Sequence, residues 1–277
     1  MRAQPLKQSG ITGVLGIILF FPAVGQSAPP DVQTIIQKSV AATQHDFQLA
    51  PAYNHKERDR TGSGSKTYQV TMIEGTPYQR LIAVNGKPLS PAQNEQEQKK
   101  QEQAVAQRRS ESSQQRQERI AKYEKDRKRD HAMMEQLTRA FDFKLIGQGR
   151  MRGFTVYVLK ATPKPGYQPP NMETQVLPGM QGELWIDTKT YQWVKVTARV
   201  IHPVSIEGFL AQVEPGTQFE LEKSPVGDDV WQVSHFAMKS QAKILYLFNH
   251  DSSEDDTYFD YQRAASPSQD ATQPSTK

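Results

Sequence analysis

The chain of 277 residues contains no cysteine. Disulfide bonds, thiol catalysis and thiolate metal ligands are therefore excluded. A membrane anchor of the bacterial lipoprotein type is excluded as well, because that anchor is built on an acylated cysteine. An exported chain of this composition depends on packing alone for its stability.

Long hydrophobic runs are also absent, apart from one near the amino terminus. Two basic residues precede this apolar run over residues 11–23, and small residues follow it. The run has about 13 residues, whereas a helix needs about 20 to cross a bilayer. The sequence therefore predicts a signal peptide over residues 1–25 and a periplasmic protein with no permanent membrane anchor. Cleavage after Gly25 and cleavage after Ser27 both remain open.

Charge of either sign is nearly balanced. The formal net charge is +4, and loss of Arg2 and Lys7 with the signal peptide leaves +2. Such a small excess is not typical of a nucleic-acid-binding protein, so we expect no nucleic-acid partner.

The segment that follows the signal peptide predicts a helix and then a β-hairpin. Apolar residues recur at helical spacing over residues 31–50, with Asp31 as the expected amino-terminal cap. Residues 53–66 are polar and predict a loop or a weakly paired edge. Alternating residues over 66–84, interrupted by a turn at 74–77, predict two paired strands.

A highly charged segment then replaces the strand pattern. Gln, Glu, Lys and Arg dominate residues 94–130, where glycine and proline are missing, so we expect one long helix. Its few apolar residues do not sustain a heptad repeat. We interpret residues 91–137 as a charged helical insertion that is largely solvated, although its basic residues offer an alternative role at anionic lipid head groups.

The rest of the chain predicts further antiparallel strands. Strand signals lie at 153–160, 182–187, 192–200, 218–221, 230–238 and 243–248, separated by short turns. This arrangement is typical of an antiparallel sheet or partial barrel and not of alternating βαβ units. The last segment, 264–277, is rich in Ser, Gln, Thr and Pro and predicts a disordered tail.

Alternation within two of these strands separates an apolar face from a polar one. Leu184 and Ile186 share one face of their strand, and the next strand predicts a continuous apolar face formed by Val194, Val196, Ala198 and Val200. One face of the sheet therefore needs to be covered by helices or by a curled partner sheet.

Three stretches of these strands resemble the LolA/LolB-like group of outer-membrane lipoprotein-sorting and periplasmic lipid-binding proteins. They are residues 182–187, residues 191–196 and residues 231–234. The resemblance implies an α+β fold, mainly antiparallel, in which a half-open β-barrel covered by helices holds acyl chains on a concave apolar face. It covers a single domain over residues 26–263, interrupted by the charged helical insertion at 91–137.

The resemblance and the alternation together give a set of candidate cavity residues. The candidate lipid-binding residues are Leu184, Ile186, Val194, Val196, Val200, Phe219 and Leu221. Alternation alone does not distinguish a lined cavity from a filled core, so both interpretations remain open.

Motifs of metal binding and hydrolysis are missing from the sequence. None of the six histidines has a recognisable ligand spacing, and no G-x-S-x-G motif occurs. The acidic residues at 251–256 are interpreted as a solvated turn and not as a calcium loop. We therefore expect no metal, no cofactor and no enzymatic activity.

Two functions remain. The first is a periplasmic carrier or sensor that binds a lipid or an acylated lipoprotein, gated by the opening helix. The alternative is a cell-envelope interaction protein that uses the charged helix as the surface for a protein partner.

Overall fold

The computed structural model describes residues 30–206, 211–244 and 248–264. The predicted signal peptide lies outside these residues, and so does the predicted tail apart from Ala264. Within these ranges there are three α-helices: α1 (Val32–Leu49), α2 (Pro91–Ser110) and α3 (Ser113–Ala140). The strands are β1 (Tyr53–Thr61), β2 (Gly64–Ile73), β3 (Thr76–Val84), β4 (Lys87–Pro88), β5 (Phe141–Met151), β6 (Phe154–Pro163), β7 (Met180–Asp187), β8 (Trp193–Val200), β9 (Val204–Ile206), β10 (Ala211–Val213), β11 (Gln218–Gly227), β12 (Val230–Ile244) and β13 (Phe248–Arg263).

All thirteen strands of the described residues belong to one antiparallel sheet. The main path runs β4-β3-β2-β1-β13-β12-β11-β8-β7-β6-β5, with β10 and β9 attached beside β12. In the described residues the two end strands of this path do not pair, so the sheet is open. The predicted α+β, mainly antiparallel architecture is confirmed, and a half-open barrel fits it. None of the described helices is long and apolar enough to cross a membrane.

Helix α1 begins where the sequence predicted. The carboxylate of Asp31 accepts a hydrogen bond from the backbone N–H of Thr34 at 3.0 Å, which satisfies a donor of the first turn. Ile35 and Ile36 are buried on one side of this helix. They pack on the sheet, so α1 covers one of its faces.

The main core lies between the helices and this face of the sheet. It contains buried residues from α1, the end of α3, the strands β5 to β8 and the turn before β7, namely Ile35, Ile36, Ala140, Phe141, Tyr157, Leu159, Ala161, Leu177, Met180, Leu184, Ile186, Trp193, Val196 and Val200. We call this surface of the sheet the helix-covered face.

A smaller apolar cluster lies apart from the main core, and β8 reaches it through a β-bulge. Trp185 pairs with Lys195 while Ile186 pairs with Trp193, so Val194 is an extra residue between them. Val194 packs with Val156 and Trp231 in this second cluster. The predicted continuous face from Val194 to Val200 is therefore interrupted, because the bulge reverses the alternation of side chains.

The charged segment forms two helices instead of the single helix that we predicted. The chain leaves helical geometry at Glu111, where ψ is 139°, and α3 begins after Ser112. Ser112 and Gln115 form a capping box, in which each side chain satisfies a backbone N–H of the other residue. The interpretation of residues 91–137 as an insertion into a smaller fold stays a prediction.

Two polar segments, one predicted as a loop or a weakly paired edge and the other as a turn, are well-paired strands. Residues 53–61 form β1, which lies between β2 and β13, and residues 251–256 belong to β13. Polar side chains of β1 interact with neighbouring strands. Lys56 forms an ion pair with Asp260 at 2.8 Å, and the Asn54 side chain accepts a hydrogen bond from the backbone N–H of Met72. Cross-strand pairing thus allows a sequence without apolar alternation to form an interior strand.

Candidate ligand-binding cavity

Six of the seven candidate lipid-binding residues share the helix-covered face. Leu184, Ile186, Val196 and Val200 are buried in the main core, and Phe219 and Leu221 pack against it partly buried. The seventh, Val194, belongs to the second cluster. Because Ile35 and Ile36 of α1 belong to the same core, these residues form a filled core in this conformation. Their role as lipid contacts stays a prediction.

A cavity of about 470 Å³ lies farther along the sheet, beside β1, β2 and β3. Strand residues supply most of its wall, and α3 contributes Tyr123. It is lined by Ala50, Tyr53, His55, Glu57, Val70, Met72, Pro77, Tyr78, Gln79, Tyr123, Gln232 and Tyr261. Its size and its largely aromatic and aliphatic wall are typical of small-molecule sites.

Alternation explains why these strands present a common wall. Tyr53, His55 and Glu57 are alternate residues of β1, and Val70 and Met72 are alternate residues of β2. Successive side chains of a strand point to opposite faces, so each set shares one face. The β2 part of this pattern is legible in the sequence, whereas the β1 part is hidden because polar residues carry it.

Burial favours the neutral forms of the histidine and the glutamate in the cavity wall. Burial lowers the pKa of His55 to about 4, and its ring stacks on that of Tyr261 with centroids 5.1 Å apart. Burial, followed by the charge of Asp59, raises the pKa of Glu57, whose carboxylate accepts a hydrogen bond from Gln79 at 2.9 Å. At neutral pH, His55 therefore carries no charge at this wall.

Two further carboxyl groups, one on β1 and one on β13, lie beside that of Glu57. Ligand oxygens of Glu57, Asp59 and Asp256 all lie within 4.8 Å of one another. Burial, a hydrogen bond with Glu254 and the neighbouring negative charges raise the pKa of Asp256 to about 7. Oxygen donors of this kind suit hard cations. Without a cation, protonation relieves their mutual repulsion.

Helix α3 is fastened to α1 beside the cavity. The rings of Phe47 and His131 stack with centroids 4.1 Å apart, and the guanidinium carbon of Arg127 lies 4.3 Å from the Phe47 ring. Arg127 also donates to the backbone carbonyl of Phe47 and lies 5.6 Å from the ring of Tyr123. We call the group Phe47, Arg127 and His131 the α1–α3 latch.

The hairpin between β2 and β3 is fastened to the charged helices by two arginines. Arg108 of α2 donates to the backbone carbonyls of Ile73, Thr76 and Pro77 at 2.9–3.0 Å. Arg119 of α3 donates to the Thr76 hydroxyl at 2.7 Å. Both helices therefore lie against the sheet, and they determine the position of Tyr123 over the cavity.

A larger groove, of about 920 Å³, crosses the sheet elsewhere. One row of register partners runs through it on seven strands: Lys160, Glu183, Thr197, Glu220, Ala237, Asp255 and Arg60. Glu183 is the neighbour of the core residue Leu184 along β7, so this row faces away from the helices. Its charged wall suits a polar partner and not a hydrocarbon chain.

Comparisons with known proteins find similar folds among solved structures. A DUF1329 family protein from Desulfovibrio piger is 11% identical with a TM-score of 0.35, and the match covers 87% of this chain and 96% of that one. A putative outer membrane lipoprotein-sorting protein domain from Vibrio parahaemolyticus is 12% identical with a TM-score of 0.30, covering 84% and 95%. A LolA superfamily protein from Nitrosomonas europaea is 11% identical with a TM-score of 0.31, covering 87% and 97%.

The structural neighbours of the chain thus include DUF1329, lipoprotein-sorting and LolA superfamily proteins, the group that the sequence resembles. No protein-family model matches the sequence, and no curated protein matches it. At these identities and TM-scores, we transfer no residue role or ligand from these proteins to this chain.

Proposed function

We propose that this protein is a non-enzymatic periplasmic binding protein that holds a lipid, or the acyl chains of a lipoprotein, in the cavity between β1–β3 and α3. The observation that carries the proposal is the cavity itself, which has a volume of about 470 Å³ and a largely aromatic and aliphatic wall. Each methylene group that leaves water for such a wall contributes about 0.8 kcal/mol to binding. No covalent chemistry is needed.

The composition of the wall supports binding and not catalysis. Among the described residues, no serine, threonine or lysine lines the cavity. Its single histidine, His55, stacks between tyrosine rings instead of facing a nucleophile. The described wall therefore lacks the usual pairing of a serine, threonine or lysine nucleophile with a histidine base.

Movement of α1 away from the sheet would add the core residues beside it to the binding surface. Leu184, Ile186, Val196, Phe219 and Leu221 would reach an acyl chain only after α1 leaves the sheet. Displacement of α1 would then act as the gate, and binding in the preformed cavity would precede it.

The test is native mass spectrometry of the protein purified under mild conditions from the periplasm, with lipid identification after organic extraction. We expect co-purifying acyl lipid in the wild type and its loss in Met72→Trp, which fills the cavity. The matched control is Met172→Trp, since Met172 is exposed and lies outside the cavity wall. An apo mass for the wild type that stays unchanged after incubation with envelope lipids would refute the proposal.

The alternative function, a cell-envelope interaction protein, has one specific observation in its favour. Helix α2 is 20 residues long and buries none of them, although Arg108 anchors it to the sheet. A rigid, charged and exposed helix is suited to a protein partner. The apo result described above, together with loss of a partner on charge reversal along α2, would favour this function.

A further inference from the structure

We propose that the cavity selects acyl ligands whose buried end is uncharged and forms hydrogen bonds, such as an acylglycerol, and rejects fatty acids and other anionic amphiphiles. The proposal rests on the proposed function, because it concerns the ligand of the same cavity. It is carried by the polar groups of the wall and by the positions of the nearest cations.

One polar group at the wall lacks a partner. Tyr53 is only 4% exposed, and its hydroxyl forms no hydrogen bond with any described residue. The hydroxyl oxygen has almost no accessible surface in this conformation, so a bound molecule would supply its partner after a small shift of the side chain. Tyr53 shares its face of β1 with His55 and Glu57, and Gln79 and Gln232 add amide groups to the same wall.

The wall offers nothing that would neutralise an anion. In the part of the chain that the structure describes, no lysine or arginine lines the cavity. Two guanidinium groups lie over tyrosines of the wall: Arg108 lies 5.8 Å from the ring centroid of Tyr78, and Arg127 lies 5.6 Å from that of Tyr123. Both already donate to backbone carbonyls.

Carboxyl groups are instead concentrated at the end of the cavity where Glu57 lies. Glu57 lines it, and the carboxyl groups of Asp59 and Asp256 follow within 4.8 Å. A buried carboxylate or phosphate would therefore lose its water without gaining a cation, and it would also face carboxyl groups. An ester or hydroxyl group avoids this cost and can pair with the Tyr53 hydroxyl.

The experiment compares the binding of three probes that share one acyl chain: a monoacylglycerol, the free fatty acid and the parent alkane. Titration below the critical micelle concentration, followed by native mass spectrometry or calorimetry, gives the dissociation constants. We expect the monoacylglycerol to bind at least about tenfold more tightly than the fatty acid. Glu57→Gln should reduce this preference, because it removes the repelling charge while keeping the size of the side chain.

Tyr53→Phe tests the unpaired hydroxyl. We expect it to weaken binding of the monoacylglycerol several-fold without changing binding of the alkane. We also expect it to preserve or raise the thermal stability of the apo protein, because it removes an unsatisfied buried group. Tyr157→Phe is the matched control, since Tyr157 is buried in the main core away from the cavity. This combination separates a ligand contact from a structural role.

Each outcome distinguishes the two proposals. Equal binding of the monoacylglycerol and the fatty acid would overturn the selectivity and leave the lipid-binding function standing. Unchanged monoacylglycerol binding by Tyr53→Phe would overturn the assigned contact. If none of the three probes binds the folded protein, the proposed function itself fails.

Discussion

Asp46, near the end of α1, is the residue on which the position of this helix depends. Its buried carboxylate accepts hydrogen bonds from the ammonium group of Lys223, from the Gln192 amide at 3.1 Å and from the backbone N–H of Trp231 at 2.9 Å. These three partners belong to or border different strands. A single side chain therefore joins α1 to the sheet far from the apolar core around Ile35.

Replacing Lys223 with methionine should destabilise the protein strongly. Burial lowers the pKa of Lys223, while the Asp46 carboxylate opposes this shift. Removing the lysine leaves a buried carboxylate without its counterion, for which we expect a loss of about 3–5 kcal/mol in the free energy of unfolding. Urea denaturation measures this loss. Lys56→Met is the control: its pair with Asp260 is partly exposed, so the loss should stay below about 1 kcal/mol. Similar losses in both variants would contradict this account.

The buried Asp256 should make stability fall as the pH rises. Its pKa is about 7 in the folded protein against an ordinary value of 3.8. Between these values the unfolded chain gives up the proton and the folded chain retains it, so the unfolding free energy decreases with pH and levels off above about 7.

Asp256→Asn should remove most of this slope and stabilise the protein at pH 8 by roughly 1–2 kcal/mol. Denaturation midpoints at several pH values measure the effect. Asp251→Asn, at an exposed position of the same strand, is the control and should preserve the slope. A wild-type stability that does not decrease between pH 4 and 7 would refute the assignment.

The sequence predicted the helix-covered face well and the cavity poorly. Leu184, Ile186, Val196 and Val200 were placed on a common buried face because apolar alternation is a local property. Val194 was misplaced, because a bulge depends on the pairing with β7 and leaves no mark in the alternation. The contact of Asp46 with Lys223 spans 177 positions, so no local pattern indicates it.

At the scale of elements, the contacts between α1 and α3 hold α3 beside the cavity. The α1–α3 latch combines a ring stack, a cation–π contact and a hydrogen bond to the Phe47 carbonyl. The last turn of α3 packs in the main core and Arg119 holds its first half to the hairpin, so the latch fixes the middle of the helix. Local opening of such an element requires less free energy than global unfolding.

Arg127→Ala should therefore loosen α3 selectively. We expect faster hydrogen exchange over residues 115–130, with unchanged exchange in β6, β7 and β8, because the main core does not involve Arg127. Hydrogen exchange followed by mass spectrometry checks this. Arg116→Ala removes the same charge from an exposed position of the same helix and should have little effect. Uniformly faster exchange throughout the protein would show that the latch supports the whole fold.

The elements themselves were predictable to different degrees. Helix α1 and the β2–β3 hairpin follow from capping and alternation, which are short-range signals. The sequence predicts a loop or a weakly paired edge at β1, because Lys56, Glu57, Arg58 and Asp59 show no apolar alternation. Its strand character comes from its partners β2 and β13, and β13 lies almost 200 residues away. The break at Glu111 is not predicted by the sequence, because the capping residues Ser112 and Gln115 do not stand out among the surrounding polar residues.

At the scale of the whole molecule, the sheet separates two kinds of surface. The helix-covered face contains the main core and the cavity, whereas the opposite face contains the charged groove and the second apolar cluster. The resemblance to LolA/LolB-like proteins anticipated an open sheet covered by helices. It did not anticipate that α1 would fill the space beside Leu184 and Ile186, because the volume of a core depends on packing between distant elements.

The bulge at Val194 makes β8 a member of both apolar clusters. Trp193 and Val196 contribute to the main core, while Val194, between them, contributes to the cluster on the other face. A strand that is buried on both sides cannot lose one set of contacts without disturbing the other. The two faces of the sheet are therefore expected to melt together, in a single cooperative transition.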